Sequence, residues 1–154
     1  MKPSESLYRT VKQFEGYRLE AYKDSAGVPT IGFGTIMYPD GKRVKMGDTI
    51  TPVYADACLR WEVDNKTKSV AAFVSNVVLT QNQFDALVSF AYNLGVGALQ
   101  KSTLLKKVIK DPNDTTIRDE FMKWNKVTDP VTKNKIPVRG LTRRRQAEAD
   151  LYFS

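Results

Sequence analysis

The stretch from Phe14 to Thr35, FEGYRLEAYKDSAGVPTIGFGT, constrains the fold more than any other part of this 154-residue chain. It begins where an apolar helical pattern ends. Over Tyr17 to Lys23 its residues alternate in polarity, as in a half-exposed strand. Asp24 to Gly27 follows with aspartate first and glycine fourth, an order typical of a tight turn. The alternation resumes beyond Pro29. The pattern therefore predicts a helix followed by two strands joined by a tight turn.

Glu15 lies where the first predicted helix ends. Its position on the apolar stripe of the last turn disfavours the ionised carboxylate, because the helix C-terminus is partially negative and burial penalises charge. Such a carboxyl group suits a proton donor. A glutamate paired with an arginine for structure fits the spacing equally well. The helix is predicted from apolar residues at helical spacing, a capping serine and a terminating glycine: Leu7, Tyr8, Val11 and Phe14, Ser4, and Gly16.

Asp24 and Thr30 are the other polar candidates in this stretch. Asp24 fits acid/base chemistry, but the turn pattern by itself favours an aspartate that only caps its own turn. In an extended strand, Thr30 would share its side with Gly32 and Gly34, since strand side chains alternate. The resulting bare backbone suits close approach of a bulky ligand, and a strained or bulged strand is the alternative.

Histidine and cysteine counts exclude several kinds of site. The chain has no histidine, which removes Ser/His and Cys/His triads and the usual zinc ligands, and it leaves carboxylates as acid/base groups. Cys58 is the only cysteine, so no internal disulfide forms, and its apolar neighbours favour a packed core residue. The formal net charge of +7 favours anionic partners: nucleic acid, acidic lipid or acidic wall polymer.

The rest of the chain is predicted to be mainly helical. One long helix starts at Thr51-Pro52, and Asn65 to Lys68 is either part of it or a break. Thr80 and Gln83 form a capping-box pattern. A polar loop is predicted over Lys126 to Gly140. The other predicted features are a helix over Thr80 to Leu94 ending at Gly95, a turn at Gly97, a helix from Ser102, an apolar stripe of Ile117, Phe121 and Trp124, and a terminal helix from about Leu141.

The run Arg143-Arg144-Arg145 lies in the terminal helix. Consecutive residues step ~100° around a helix, so the three side chains cannot share one face. We expect most of the run to be solvated, with one arginine reaching Glu15 to orient it.

The Phe14 to Thr35 sequence resembles the signature of the phage-type lysozymes, the endolysins of glycoside hydrolase family 24. The resemblance continues in QNQFDALVSFAYNLGVGALQKSTLL (Gln81 to Leu105) and GLTRRRQAEADLY (Gly140 to Tyr152), so it covers most of the chain. We expect an α+β, predominantly helical lysozyme-like fold with a small N-terminal antiparallel β-sheet and a cleft between two lobes. A single catalytic domain spans 1–154, with a small lobe of about 15–55 and a helical lobe of about 75–154 that includes the N-terminal helix.

The resemblance also implies a reaction. It assigns the general acid to Glu15, the water-positioning carboxylate to Asp24 and its partner to Thr30, with inversion at the cleaved carbon. The bond is the β-1,4 link between N-acetylmuramic acid and N-acetylglucosamine in peptidoglycan, and no metal or cofactor is needed. Many relatives carry histidine where this chain has Thr35. The sugar-binding residues implied are Tyr92, Asn93 and Ser102.

The expected partner is the glycan strand of peptidoglycan, bound by a monomer with no nucleic acid and no stable membrane insertion. Met1 to Lys12 lacks the apolar core of a signal peptide, so synthesis in the host cytoplasm and holin-dependent release to the wall are expected. Two alternatives stay open. One is a related enzyme that cleaves the same bond by transglycosylation, or cleaves chitin. The other is a cationic protein that binds wall or nucleic acid and kills without catalysis.

Overall fold

The first helix, α1 (Glu5–Phe14), carries the chain to Glu15. The computed structural model describes all residues from 1 to 154. Ser4 caps α1 as predicted, and its hydroxyl accepts the N–H of Leu7 at 3.2 Å. The prediction that Glu15 occupies the last turn was wrong. Its backbone is extended (φ −89°, ψ 149°), although its N–H still donates to the Val11 carbonyl at 3.0 Å. The chain thus leaves the helix at Glu15 itself.

Two antiparallel strands follow, β1 (Arg18–Lys23) and β2 (Pro29–Gly32), with Tyr22 opposite Thr30. The other edge of β1 pairs with residues 48–50, where Ala21 N–H donates to the Asp48 carbonyl at 2.9 Å. A small sheet region therefore forms around β1, as the sequence predicted.

The glycines after Thr30 belong to a turn and not to a strand face. β2 ends at Gly32, and the main chains of Ile31 and Thr35 then bond to each other in both directions at 2.8 and 2.9 Å. Gly32 and Gly34 have φ of +62° and +81°, a region that side chains with a Cβ rarely adopt. The predicted alternation through Phe33 was wrong, because these positive φ values close a reversal that period-two reasoning does not see.

The long helix α2 (Pro52–Phe73) is continuous. Asn65 to Lys68 is therefore helical, and the alternative of a break is excluded. Thr51 stands just before the helix, and its hydroxyl accepts the N–H of Tyr54 at 3.1 Å.

Five helices and a hairpin make up the remainder. The Thr80–Gln83 capping box predicted at the start of α3 is confirmed, with both reciprocal hydrogen bonds formed. Ser102 caps α5 as predicted, whereas the predicted turn at Gly97 is part of the short helix α4. The elements are α3 (Gln81–Leu94), α4 (Val96–Lys101), α5 (Thr103–Lys110), α6 (Ile117–Met122), β3 (Lys126–Thr128), β4 (Lys135–Pro137) and α7 (Arg139–Tyr152).

The segment predicted as a polar loop, Lys126 to Gly140, was only partly a loop. It contains the antiparallel pair β3 and β4, whose residues are all exposed. No buried face exists, so no apolar alternation marks these strands in the sequence. Asp129 supplies the turn instead, because its Oδ1 accepts the N–H of Val131 at 2.7 Å.

Contacts divide the chain into two compact units, residues 2–67 and residues 68–154 together with Met1. The first unit contains α1, the β1–β2 hairpin and most of α2. In the second, α3 packs against α7, and the ring of Phe90 meets those of Phe121 and Trp124 edge to face at 6.0 and 5.4 Å. Cys58 is buried, as predicted for a core residue. No helix combines the length and apolar character needed to cross a bilayer.

Candidate active site

Glu15 is half-buried at the end of α1, and its carboxylate lies against the backbone of Gly34. A Cβ at Gly34 would stand 2.9 Å from Glu15 Oε2, closer than such atoms approach in folded proteins. The positive φ of the turn favours glycine at this position, and an added methyl group would force the Glu15 carboxylate to shift. The sequence predicted bare backbone here, but it did not predict that the Glu15 carboxylate lies against it.

Asp24 uses its two carboxylate oxygens differently. Oδ1 accepts the N–H groups of Ala26 and Val28, both at 2.9 Å, and so closes the turn between β1 and β2. Oδ2 makes no hydrogen bond within the protein, and the side chain is half-buried. The two interpretations of Asp24 are thus compatible, because one oxygen holds the turn while the other is left for a water molecule or a ligand.

Thr30 is buried beside this turn. Its hydroxyl donates to the Val28 carbonyl at 2.9 Å, so its proton is already committed. The remaining lone pairs can only accept a hydrogen bond. A water held near Thr30 would therefore donate a hydrogen bond to the hydroxyl oxygen. The lone pairs of the water oxygen would stay available for another contact.

Thr35 closes the same turn and is almost fully buried, at 1% exposure. Its hydroxyl oxygen has no hydrogen-bond partner, although its main chain is bonded to Ile31. A buried hydroxyl without a partner costs free energy. The Thr35 side chain is therefore held here without a polar contact of its own.

A charged network joins α2 to α1, the helix that ends next to Glu15. The guanidinium of Arg60 donates to both oxygens of Glu5 at 2.9 Å, donates from Nε to Asp56 at 2.8 Å, and lies 4.4 Å from the ring centre of Tyr8. Lys12 also bonds Asp56. The Lys12 ammonium and the Arg60 guanidinium hold the pKa of the Asp56 carboxyl below its usual range. This network fixes the helix whose end carries the catalytic candidate.

Phe33, at the tip of the turn, is held by two side chains that precede the hairpin. Its ring stacks on Tyr17 with centroids 4.7 Å apart, and the Lys12 ammonium lies 5.4 Å from the centre of the Phe33 ring. Lys12 thus contacts both α2 and the turn that approaches Glu15. No periodic pattern predicts either contact, since Lys12 looks in the sequence like an ordinary charged helix residue.

The arginine run of α7 is more buried than predicted. Arg143 is exposed, but Arg144 and Arg145 are buried, and Arg145 has no exposed surface. Arg145 Nε lies 2.7 Å from Oε1 of the buried Glu148, whose Oε2 accepts the Ser89 hydroxyl at 2.6 Å. Burial raises the pKa of the Glu148 carboxyl, and the adjacent Arg145 opposes that rise. The expected contact of one arginine with Glu15 stays a prediction.

Asn93, at the end of α3, is oriented by this buried pair. Arg145 Nη2 donates to Asn93 Oδ1 at 2.8 Å. A guanidinium has only donors, so the atom facing it must be the amide oxygen. The Asn93 amide is therefore held with its oxygen towards Arg145, and its nitrogen keeps two N–H donors available.

Ser102 has both of its hydrogen-bonding roles filled. It accepts the N–H of Leu105 at 3.0 Å and donates to the Leu99 carbonyl at 2.6 Å, and it is buried. In the structure, Ser102 acts as the N-cap of α5. Tyr92 and Asn93 are both partly exposed at the end of α3. No group of three or more carboxylate or cysteine side chains is close enough to hold a metal ion.

Comparison with known proteins decides the family. Residues 12–148 match the family model described as phage lysozyme. The chain belongs to the phage lysozyme family. As a member it is a glycoside hydrolase that degrades peptidoglycan, and the α+β, mostly helical fold predicted from the sequence is confirmed.

Individual phage lysozymes and related structures agree over the full length. The endolysin of Acyrthosiphon pisum secondary endosymbiont phage 1 is 39% identical, with 100% of this chain and 99% of that protein covered. The structure of an endolysin from Escherichia coli O157:H7 phage FAHEc1 superposes with a TM-score of 0.90 at 44% identity, covering 99% of this chain and 93% of that one. The muramidase domain of SpmX from Asticaccaulis excentricus gives 0.87 at 31% identity, with 99% and 98% covered.

Proposed function

We propose that this chain is an inverting muramidase that hydrolyses the β-1,4 bond between N-acetylmuramic acid and N-acetylglucosamine in peptidoglycan. Glu15 protonates the glycosidic oxygen as the bond breaks. Asp24 binds a water through its free oxygen and takes its proton as the water attacks the opposite face of the sugar. The released sugar then carries the hydroxyl on the face opposite to the former glycosidic bond.

The divided hydrogen bonding of Asp24 is the observation that supports this mechanism most. A carboxylate that activates water needs one oxygen free to accept the water's proton, and an anchored second oxygen keeps the group in place. Asp24 has that arrangement, with Oδ1 fixed by two main-chain N–H groups and Oδ2 without a partner in the protein. Thr30, limited to accepting, supplies the second contact that orients the water's donor.

Sugar recognition is proposed to involve Tyr92, Asn93 and Ser102. Asn93 presents N–H donors, which match the carbonyl of an N-acetyl group, and Tyr92 offers an aromatic plane for a sugar ring. Ser102 contributes by holding the start of α5. The activity needs no metal or cofactor, because carboxylates supply both proton transfers.

The biological setting follows the same reasoning. The protein acts on the cell wall as a monomer, without nucleic acid as a partner, after synthesis in the host cytoplasm and holin-dependent release. Its net charge of +7 favours association with the anionic wall.

The mechanism is tested by digesting purified peptidoglycan with the wild type and with Glu15→Gln, and by counting new reducing ends. Glutamine preserves the shape of the side chain but cannot protonate the leaving oxygen. We expect reducing ends from the wild type and a loss of at least about 10³-fold in the variant. Anhydro ends would instead establish transglycosylation. If Glu15→Gln lysed permeabilised cells as well as the wild type does, killing by charge alone would be established.

A further inference from the structure

The turn over residues 31–35 touches both α1 and α2. The backbone of Gly34 lies against the carboxylate of Glu15, the residue at which α1 ends. A Cβ at Gly32 would stand 3.4 Å from the Cβ of Ala55, which belongs to the first turn of α2. The position of this turn therefore sets where the backbone stands that supports the proposed catalytic acid.

Phe33 carries the only side chain at the tip of this turn, because its two neighbours are glycines. Its ring stacks on Tyr17, with the ring centroids 4.7 Å apart and the planes at 27°. The Lys12 ammonium lies 5.4 Å from the centre of the same ring, which is within the range of cation–π attraction. The tip of the turn is thus held through an aromatic ring and a cation of α1.

The Lys12 ammonium is itself anchored on α2. It bonds Oδ1 of Asp56, and the second oxygen of that carboxylate accepts the Nε of Arg60 at 2.8 Å. Asp56 directly follows Ala55, the α2 residue that the turn approaches. Only 31% of the Lys12 side chain is exposed, so its charge is fixed in direction and only partly screened by water. Lys12 therefore stands where α1, α2 and the turn meet.

We propose that Lys12 is a positioning residue for Glu15, a proposal that rests on the muramidase function above. Its ammonium, anchored on Asp56, attracts the ring of Phe33 and so holds the turn where Gly34 supports the Glu15 carboxylate. Lys12 transfers no proton and does not contact the sugar. Loss of its charge lowers the rate of bond cleavage, because a displaced acid meets the glycosidic oxygen less often in the reactive geometry, and it leaves sugar binding unchanged.

Steady-state kinetics on peptidoglycan strands tests this role with three variants. Lys12→Met removes the charge and keeps an unbranched apolar chain, whereas Lys12→Arg keeps a cation that can bond Asp56 and lie over the Phe33 ring. Arg9→Met is the matched control, since it removes one positive charge from an exposed position of α1 that takes part in neither contact.

We expect Lys12→Met to lower kcat roughly 10-fold with KM unchanged, and Lys12→Arg to recover most of the loss. Arg9→Met should keep the wild-type kcat. A wild-type kcat in Lys12→Met, an equal loss in Arg9→Met, or no recovery in Lys12→Arg would each overturn the proposal.

A double-mutant cycle shows whether Lys12 acts through the aromatic ring. Phe33→Leu removes the ring and keeps an apolar side chain, so it should also lower kcat. The double variant Lys12→Met/Phe33→Leu should be no slower than the slower single variant, because both changes break the same contact. Losses that multiply in the double variant would overturn the proposal.

Amide hydrogen exchange gives a readout that does not depend on activity. The N–H groups of Ile31 and Thr35 bond across the turn at 2.9 and 2.8 Å, whereas the N–H of Ala21 bonds the Asp48 carbonyl outside it. In Lys12→Met, exchange at Ile31 and Thr35 should be about 10-fold faster and exchange at Ala21 should change much less, because local opening is separate from global unfolding.

Unchanged exchange at Ile31 and Thr35 would overturn the proposal. Equal acceleration at Ala21 would overturn it too, because the charge would then serve only overall stability. Failure of the muramidase function is distinguishable from both results: the wild type would then release no reducing ends, while the exchange rates would still report whether Lys12 holds the turn.

Discussion

At the scale of single residues, the proposed catalytic carboxylates of Glu15 and Asp24 are positioned by the main chain around them. Asp24 is anchored by two N–H groups of its own turn, and Glu15 is accommodated by the missing side chain of Gly34. Substitutions that disturb the main chain at these points should therefore also lower the rate of the proposed reaction.

Gly34→Ala should lower kcat by roughly 10²-fold, because the new methyl group displaces the Glu15 carboxylate. It should also cost about 1–2 kcal/mol of unfolding free energy through the positive φ. Gly41→Ala is the matched control: Gly41 has φ of +87°, but no atom lies within 4 Å of an added Cβ. If both variants lose activity in parallel with stability, displacement of Glu15 is not the cause.

Asn93→Asp should raise KM by about 10-fold, the value of one hydrogen bond to an uncharged group, and leave the melting temperature near that of the wild type. Aspartate keeps an oxygen towards Arg145 but replaces the free N–H₂ group by a second acceptor. Steady-state kinetics on peptidoglycan strands measures the change. An unaltered KM would show that the free end of Asn93 does not contact the sugar.

At the scale of elements, two buried or half-buried charge networks hold the scaffold. One joins α1 to α2 through Arg60, Lys12 and Asp56, and the other joins α7 to α3 through Arg145, Glu148 and Ser89. The sequence predicted these helices from their apolar spacing. It did not predict which charged residues pair between them, because pairing depends on how two helices rotate against each other and not on the period of either.

Asp56 makes stability depend on pH. Its pKa is lower in the folded state than in the unfolded chain, so the folded state gains stability above the unfolded value of about 4. This contribution is lost as the pH falls through the lowered folded value. Urea unfolding at pH 7 and pH 3 should show a smaller decrease for Asp56→Asn than for the wild type. An identical decrease would mean that other carboxylates carry the acid sensitivity.

Glu148→Ala should lower the unfolding free energy by about 3–5 kcal/mol, because the fully buried guanidinium of Arg145 loses its carboxyl partner. The double variant Arg145→Met/Glu148→Leu removes both charges and should recover most of that loss. Denaturant titrations of the three proteins measure both effects. A double variant no more stable than Glu148→Ala would show that packing, and not charge burial, explains the cost.

Turns were less predictable than helices, for a physical reason. The Asp24 turn was predicted because aspartate and glycine occupy the positions that such a turn favours. The reversal at Gly32 to Gly34 was missed because two positive φ values, and not a residue pattern of period two, define it. The β3–β4 hairpin was missed because its residues are exposed on both faces. The catalytic candidates were predicted from the family resemblance, whereas the contact of Glu15 with Gly34 is seen only in the folded structure.

At the scale of the whole molecule, the chain comprises two compact units, and each contains residues of the proposed site. Residues 2–67 contain Glu15, Asp24 and Thr30, while residues 68–154 contain Asn93 and the buried Arg145–Glu148 pair that orients it. Family membership over residues 12–148 spans both units.

The stereochemistry of the first product tests this account most directly. Proton NMR of the sugar released from short peptidoglycan strands, recorded before the anomers equilibrate, should show the α-anomer, because a water held by Asp24 attacks the face opposite to the β-linked leaving group. Initial release of the β-anomer would contradict the account, since retention requires a carboxylate that attacks the sugar itself and not one that positions water.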